Sequence, residues 1–196
     1  MTEENRTQPR VVKARIAIAG DGIDDLLPEE RALAAGLSSH RRAELRAGRL
    51  AARAALAGLG LAAAIGREDD GCPVALGLDV KVSISHGRRW AVAAAGRVAQ
   101  LGIDLCEIER APSVRRVSAR FLHASEQALP TNDVEWAALW ALKEAAAKAL
   151  RLGLFAGGLT EPEVRLVSPP AFARPAGFVA ELEVGVEDVV ALVYRA

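Results

Sequence analysis

The stretch between Cys72 and Ile108 limits the fold of this chain more than any other. It divides into four short runs, "PVAL", "VKVSIS", "RWAVAAA" and "VAQLGIDLCEI", punctuated by Gly77, Gly87 and Gly96. Runs of that length, rich in β-branched residues and bounded by glycine, read as strands joined by tight turns. An earlier run, "VVKARIAIAG", has the same character, and three more close the chain: "PEVRLV", "GFVAELEV" and "VVALVYRA". Helical patterns fill the gaps. The first begins near "LPEERALAAG" with Pro28 in its first turn, restarts at the N-cap candidates Ser38 and Ser39, and stops around Gly58-Leu59-Gly60. Helix is expected again over roughly 112–128 and from Val134 to Leu152. Asn132 with Glu135 can cap the last of these, and Gly153 can close it. The first ten residues read as frayed.

The order is strand, helices, strands, then helices and strands again, an α+β pattern that occurs roughly twice. The two strong helices also end alike, "AARAALAGLGL" and "AAAKALRLGL". A duplicated half explains both observations; coincidence in an alanine-rich chain explains the second. A length of 196 residues suits one compact domain or two small halves sharing a core.

The charged residues balance to a net charge of zero. Nothing global therefore draws the chain to nucleic acid or an anionic membrane, and a phosphate partner must be met by a local patch. Four Phe, three Trp and one Tyr leave few rings for stacking on bases. The longest apolar run, Ala54 to Ile65, is too short to span a bilayer. Cys72 and Cys106 form neither a zinc spacing nor a disulfide framework, and "MTEENRTQPR" lacks a signal-peptide core, so cytoplasmic residence is expected.

Several constellations could carry chemistry. Trp136, Trp140, Glu144 and Lys148 stand four residues apart, so on a helix they form one drifting stripe, apolar first and charged last. The charged end reads as a surface pair worth about 0.3–0.5 kcal/mol, and "EAAAK" is a helical-spacer repeat. It also reads as a site, because it continues a line of tryptophans that ought to be buried. The chain has only Lys13, Lys81, Lys143 and Lys148 as lysines, and two of them lie here.

In "LGIDLCEIER" an extended strand puts Asp104 and Cys106 on one face and Ile103 and Leu105 on the other. Aspartate is disfavoured inside a strand, so Asp104 marks either a strand end or a ligand position. Asp104 with Glu144 would supply the one or two carboxylates with which Mg²⁺ is typically held. Cys106 is a poor third ligand because soft thiolates do not favour Mg²⁺. Glu107 points to the opposite face.

"VSISHGRRW" ends a strand on Ser85 and His86 at a turn, usable for an anion or merely structural. In "RRAELRAGRLAAR", Arg42, Arg46, Arg49 and Arg53 make one stripe with no acid among them, either a solvated face or a phosphate-holding one. Glu126 in "RFLHASEQAL" is a candidate base.

Taken in order, these motifs resemble the 4′-phosphopantetheinyl transferases, in particular the long, surfactin-type branch. The matching elements are Arg49 and Arg53, "GCP" at 71–73, "SISHGRRW" at 83–90, "GIDLCEIE" at 102–109, "RFLHASE" at 120–126 and "WALKEAAAK" at 140–148. The resemblance implies a pseudo-twofold α+β fold, two similar halves each with a small, mainly antiparallel sheet packed on a long helix. Residues 11–100 would hold the coenzyme A nucleotide, and residues 101–196 the metal site and catalytic helix.

The resemblance also implies a reaction of the holo-acyl-carrier-protein synthase type. A serine hydroxyl of an apo acyl or peptidyl carrier protein attacks the β-phosphate of coenzyme A, and adenosine 3′,5′-bisphosphate leaves. By the same likeness Asp104 and Glu144 would be Mg²⁺ ligands, and Lys148 would neutralise the diphosphate. Ser85 and His86 would bind the 3′-phosphate end, Arg53 and Arg49 the nucleotide, and Glu126 would deprotonate the serine. No nucleic acid or membrane partner is implied, and two halves in one chain make a monomer sufficient. Phosphoryl transfer depends on positioning and charge stabilisation, which a metal and a lysine supply.

Three positions depart from the family pattern: Cys106 stands where the long branch has a second acid, Cys72 where lysine is usual, and Gly87 where serine is usual. These departures leave room for a second reading, a non-catalytic module that binds coenzyme A or a carrier.

Overall fold

The computed structural model describes residues 10–152 and 159–196, so all but the last of the ten residues expected to fray, and the expected stop at Gly153, lie outside the described residues. Among the described residues, three antiparallel sheets and four α-helices make up the mixed α/β fold. Strand β1 (Val11–Ala17) leads to helices α1 (Pro28–Ala34) and α2 (Ser39–Gly58). Strands β2 (Ile65–Arg67), β3 (Pro73–Ala75), β4 (Lys81–His86) and β5 (Trp90–Gly96) follow. They form a five-stranded sheet in the order β1-β5-β4-β3-β2. Next come β6 (Gln100–Glu107), helix α3 (Ala111–Val117) and helix α4 (Asp133–Ala149). Strands β7 (Glu163–Leu166) and β8 (Ala171–Arg174) pair with each other. Strands β9 (Val179–Val184) and β10 (Asp188–Arg195) complete a three-stranded sheet in the order β6-β10-β9.

Strand parity stacks these elements into four layers. On β5, Ala93 and Ala95 pack with Ala51, Ala52, Ala55 and Leu56 of α2, whereas Val92 and Ala94 face the second sheet. On β10, Val189, Ala191 and Val193 pack with α4, whereas Val190, Leu192 and Tyr194 face the first sheet. The layers therefore run α2, five-stranded sheet, three-stranded sheet, α4. Each sheet sets the first strand of its segment beside the last one, as β1-β5-β4 and β6-β10-β9.

Two close approaches fix where α4 lies. A Cβ at Gly102 would sit 1.8 Å from the Ala145 carbonyl oxygen, so β6 and α4 touch backbone to backbone and only glycine fits. Ala145, the first alanine of "EAAAK", is the other half of this contact, and Ala145, Ala146 and Ala147 are all fully buried. They are core residues rather than spacer.

Two helix boundaries differ from expectation. Helix over 112–128 breaks into α3 and two short 3₁₀ turns, because His123 is extended and the Glu126 carboxylate accepts its N–H at 2.7 Å. At the end of α4 the left-handed position falls on Arg151 (φ 57°) rather than on glycine. That guanidinium is held by Glu68 and Asp70.

Candidate active site

Asp104 lies near the middle of β6, facing α4 from the edge of its sheet. Its Oδ1 accepts hydrogen bonds from Lys148 Nζ at 2.7 Å and Ser85 Oγ at 2.6 Å. Lys148 Nζ also donates to the carbonyls of Ile103 (3.1 Å) and Ile84 (3.4 Å), which ties the C-terminal end of α4 to both β6 and β4. Serine serves at 83 and 85 because this face of β4 meets the unpaired edge of β6. There Ser83 Oγ accepts the Ile103 N–H at 3.0 Å.

Glu144 stands one turn before Lys148 and is buried. Burial, and after it the negative charge of Asp104, pushes its carboxyl up to about 7, while Lys148 and Arg110 act in the opposite direction. Two buried carboxyl groups, the charge of Asp104 adding to the burial that raises Glu144, offer hard oxygen donors that could hold a small divalent cation.

The neighbours of Asp104 on β6 do not extend this donor set. Burial and Asp104 push the Cys106 thiol up to about 12, so it stays protonated; its Sγ–H faces the Glu107 carbonyl at 3.6 Å. Glu107 points the other way, accepting the Arg88 N–H. Among the described residues no three His, Cys, Asp or Glu gather as a metal cage. Asp104 and Glu144 are the two carboxylates that could hold Mg²⁺, an ion typically bound through one or two protein carboxylates.

His86, the residue after Ser85, lines a cavity of about 440 Å³ between the N-terminal part of α2 and the β2–β3 edge of the large sheet. Arg41, Glu44, Arg49, Arg67 and Pro73 line it too, beside leucines of the α1–α2 region. Arg49 is buried and its Nε has no partner, while Nη2 reaches only the Gly66 carbonyl at 3.5 Å. Its acidity is raised first by burial, with Glu30 opposing and Arg67 adding to the effect. Arg67 has no carboxylate partner among the described residues. Two guanidinium groups without a carboxylate partner among the described residues, in one cavity, could hold an anion. His86 is pushed below the usual histidine value, chiefly by burial, with Glu44 opposing and Lys148 and Arg41 adding to it.

Two expected site residues lie elsewhere. Glu126 is fully buried, its oxygens taken by Lys143 Nζ (2.8 and 2.7 Å) and by the N–H groups of His123 and Val164 (both 2.7 Å). No lone pair is presented to a substrate, so this carboxylate holds the fold together and is not placed as a base. Arg53 is outside the cavity lining. It is tied to the buried Glu30 at 2.6 Å and to the Asp25 carbonyl at 2.7 Å.

The rest of the arginine stripe behaves similarly, with Arg42 on Asp21 and Arg46 on Asp25. The acids missing from the stripe come from "DGIDDLLPEE" ahead of α2, so only Arg49 of the four lines the cavity. Sequence reasoning missed Arg67. The only signal in the sequence was its place four residues before the "GCP" element at 71–73.

Comparison with known proteins shows which family the chain belongs to. A family model described as the 4′-phosphopantetheinyl transferase N-terminal domain matches residues 29–96. A second, described as the 4′-phosphopantetheinyl transferase superfamily, matches residues 100–175. A holo-[acyl-carrier-protein] synthase from Campylobacter fetus subsp. fetus (strain 82-40) is 43% identical over 59 residues, covering 28% of this chain and 51% of that protein. The chain thus spans about half the length of this curated relative. With its two matches running from α1 to β8, this chain belongs to the 4′-phosphopantetheinyl transferase superfamily.

Proposed function

We propose that this protein moves the 4′-phosphopantetheine group of coenzyme A onto a serine of an apo acyl or peptidyl carrier protein, in an Mg²⁺-dependent reaction. The observation that carries this reading is the continuity of Ser85 and His86. Ser85 is bonded to Asp104 in the acid–lysine cluster, and His86 lines the cationic cavity. A ligand with a diphosphate and a second phosphate can therefore reach both places. Coenzyme A is such a molecule.

In this arrangement Arg49 and Arg67 hold the nucleotide phosphate, and Lys148 brings fixed positive charge to the diphosphate. Asp104 and Glu144 would hold Mg²⁺, which supplies charge stabilisation for the leaving phosphate. The serine oxygen forms a bond to the β-phosphorus, and the bond from that phosphorus to the bridging oxygen breaks. Adenosine 3′,5′-bisphosphate departs with the electron pair, and the serine proton is released. Burial of Asp104, Ser85 and Glu144 keeps these charges in a medium where positioning has a large effect.

The same reading covers the halves. Residues 11–100 form the nucleotide-binding half and residues 101–196 the metal-binding half, related by a pseudo-twofold axis as in the surfactin-type branch. The repeated strand order β1-β5-β4 and β6-β10-β9 supports it. A monomer in the cytoplasm belongs to this reading, and no helix among the described residues is long and apolar enough to cross a membrane.

The test is to incubate the protein with coenzyme A, Mg²⁺ and a panel of apo carriers, and to weigh the carriers. We expect a phosphopantetheine mass gain that disappears on chelation and in Asp104→Ala. Tight coenzyme A binding indifferent to Mg²⁺, with no mass gain on any carrier, would favour the non-catalytic module. Full activity in Asp104→Ala would remove the metal site from the proposal.

A further inference from the structure

Glu107 is a buried carboxylate, 6% exposed, with no ion pair among the described residues. A charge in that position is costly unless something specific holds it. On β6 it shares a face with Leu105, directed at the large sheet, and is opposite in parity to Asp104 and Cys106. It is thus turned away from the acid pair. Its Oε1 accepts the Arg88 N–H at 2.5 Å.

The space it occupies belongs to the next turn. A Cβ built on Gly87 would fall 2.0 Å from Glu107 Oε1, 2.7 Å from its Cδ and 2.8 Å from Leu105 Cδ2. Gly87 is not left-handed, so its lack of a side chain serves room rather than conformation. Gly87, one of the departures noted in the sequence, and the buried acid at 107 are one fitted contact.

Other links run from the same turn to the smaller sheet and its flank. Arg88 pairs with Glu109, but those side chains are 77% and 61% exposed, and such pairs add little. Arg89 pairs with Glu187, also at the surface. The Gly87 N–H closes the turn on the Trp90 carbonyl at 2.9 Å. Of the links this turn makes at 87–89, the buried one is to Glu107. Immediately before Gly87 come Ser85, bonded to Asp104, and His86, in the cavity wall.

We propose that Glu107 is a positioning residue for phosphopantetheine transfer: seated where Gly87 has no side chain and bonded to the Arg88 N–H, it holds Ser85 and His86 in register with Asp104. This rests on the function proposed above, and the two can fail separately.

Coenzyme A binding by calorimetry, the KM for coenzyme A and kcat are measured for the full chain and for Glu107→Ala, Glu107→Gln, Gly87→Ala and the double alanine variant. Glu107→Ala should weaken coenzyme A binding and raise its KM about tenfold, the effect of losing a hydrogen bond to a charged acceptor, with the carrier KM unchanged. Glu107→Gln keeps the acceptor and shape and should restore most of the affinity with an unaltered Mg²⁺ requirement. Gly87→Ala evicts the carboxylate and should match Glu107→Ala, and the double variant should be no worse than either single one.

The proposal is overturned by an unchanged coenzyme A KM in Glu107→Ala, or by losses at 87 and 107 that simply add. A shifted Mg²⁺ requirement in Glu107→Gln would make Glu107 a metal ligand instead. If the wild type binds coenzyme A yet transfers nothing, the function is wrong, and the calorimetric comparison still decides the role of Glu107. If it binds none, both fall. Circular dichroism of each variant separates lost folding from lost positioning.

Discussion

At the scale of single residues, the site turns on which charges are already spoken for. Arg42, Arg46 and Arg53 have carboxylate partners, whereas Arg49 and Arg67 have none among the described residues, and Arg49 leaves a buried Nε unsatisfied. In the proposed function an anion would complete them. Arg67→Gln should therefore raise the KM for coenzyme A about tenfold while leaving that for 3′-dephospho-coenzyme A nearly unchanged, since a charge-assisted contact is lost only with the former. Equal losses with both substrates would place Arg67 outside the phosphate contact. The guanidinium would also take over the contact that Cys72 cannot make.

Glu126 leads to the opposite kind of prediction. It and Lys143 are both fully buried and bonded to each other, so Glu126→Ala strands an ammonium in the core. Loss of one partner of such a pair costs about 3–5 kcal/mol, and the urea midpoint should fall accordingly. A variant as stable as wild type but unable to transfer would restore the catalytic-base reading. Sequence inspection found Glu126 but could not see Lys143, because their pairing is tertiary.

Helices and strands were more legible than their ends. Asn132 caps α4 as expected, its side chain accepting the Glu135 N–H at 3.0 Å, and Ser38 caps α2. The expected long helix over 112–128 was not legible, because its break depends on a buried carboxylate reaching back to His123. Nor was the left-handed Arg151, whose conformation is fixed by acids 81 and 83 residues away in sequence rather than by its own propensity. Gly102 shows what pattern reading can and cannot extract. The sequence shows it only as a glycine within a strand run, and the backbone contact with α4 that makes it necessary is visible only in the structure. Gly102→Ala should cost about 3 kcal/mol, the upper end of the usual overpacking range, because the atom it meets is a helix carbonyl that cannot rotate away. In whatever protein remains folded, transfer should fall as well, since the shift moves Glu144 and Lys148 relative to Asp104. A midpoint within 1 kcal/mol of wild type, read by urea denaturation, would mean α4 can slide.

At the scale of the molecule, the α+β order and its recurrence were visible as alternating runs, yet the layer between the sheets was not. The same strand that alternates into α4 also alternates into the other sheet, so both faces are apolar and a sequence gives no sign of which face meets which partner. Val92 and Ala94 from the first sheet meet Ile103, Val190 and Leu192 from the second. Arg15, on β1, bonds Asp188 through both nitrogens (3.1 and 2.6 Å) while lying 4.4 Å from the centre of the Trp90 ring. This shared core carries the alignment of cavity and acid pair, because Ser85 and His86 come from one sheet and Asp104 from the other. It also binds the folding of one half to that of its neighbour. Leu192→Ala opens space in that layer and should lower stability by about 2–5 kcal/mol. It should shift a single urea transition rather than split it, with tryptophan fluorescence and far-UV circular dichroism moving together. Two separated transitions would mean that each half folds on its own and that the active site is assembled only by their docking.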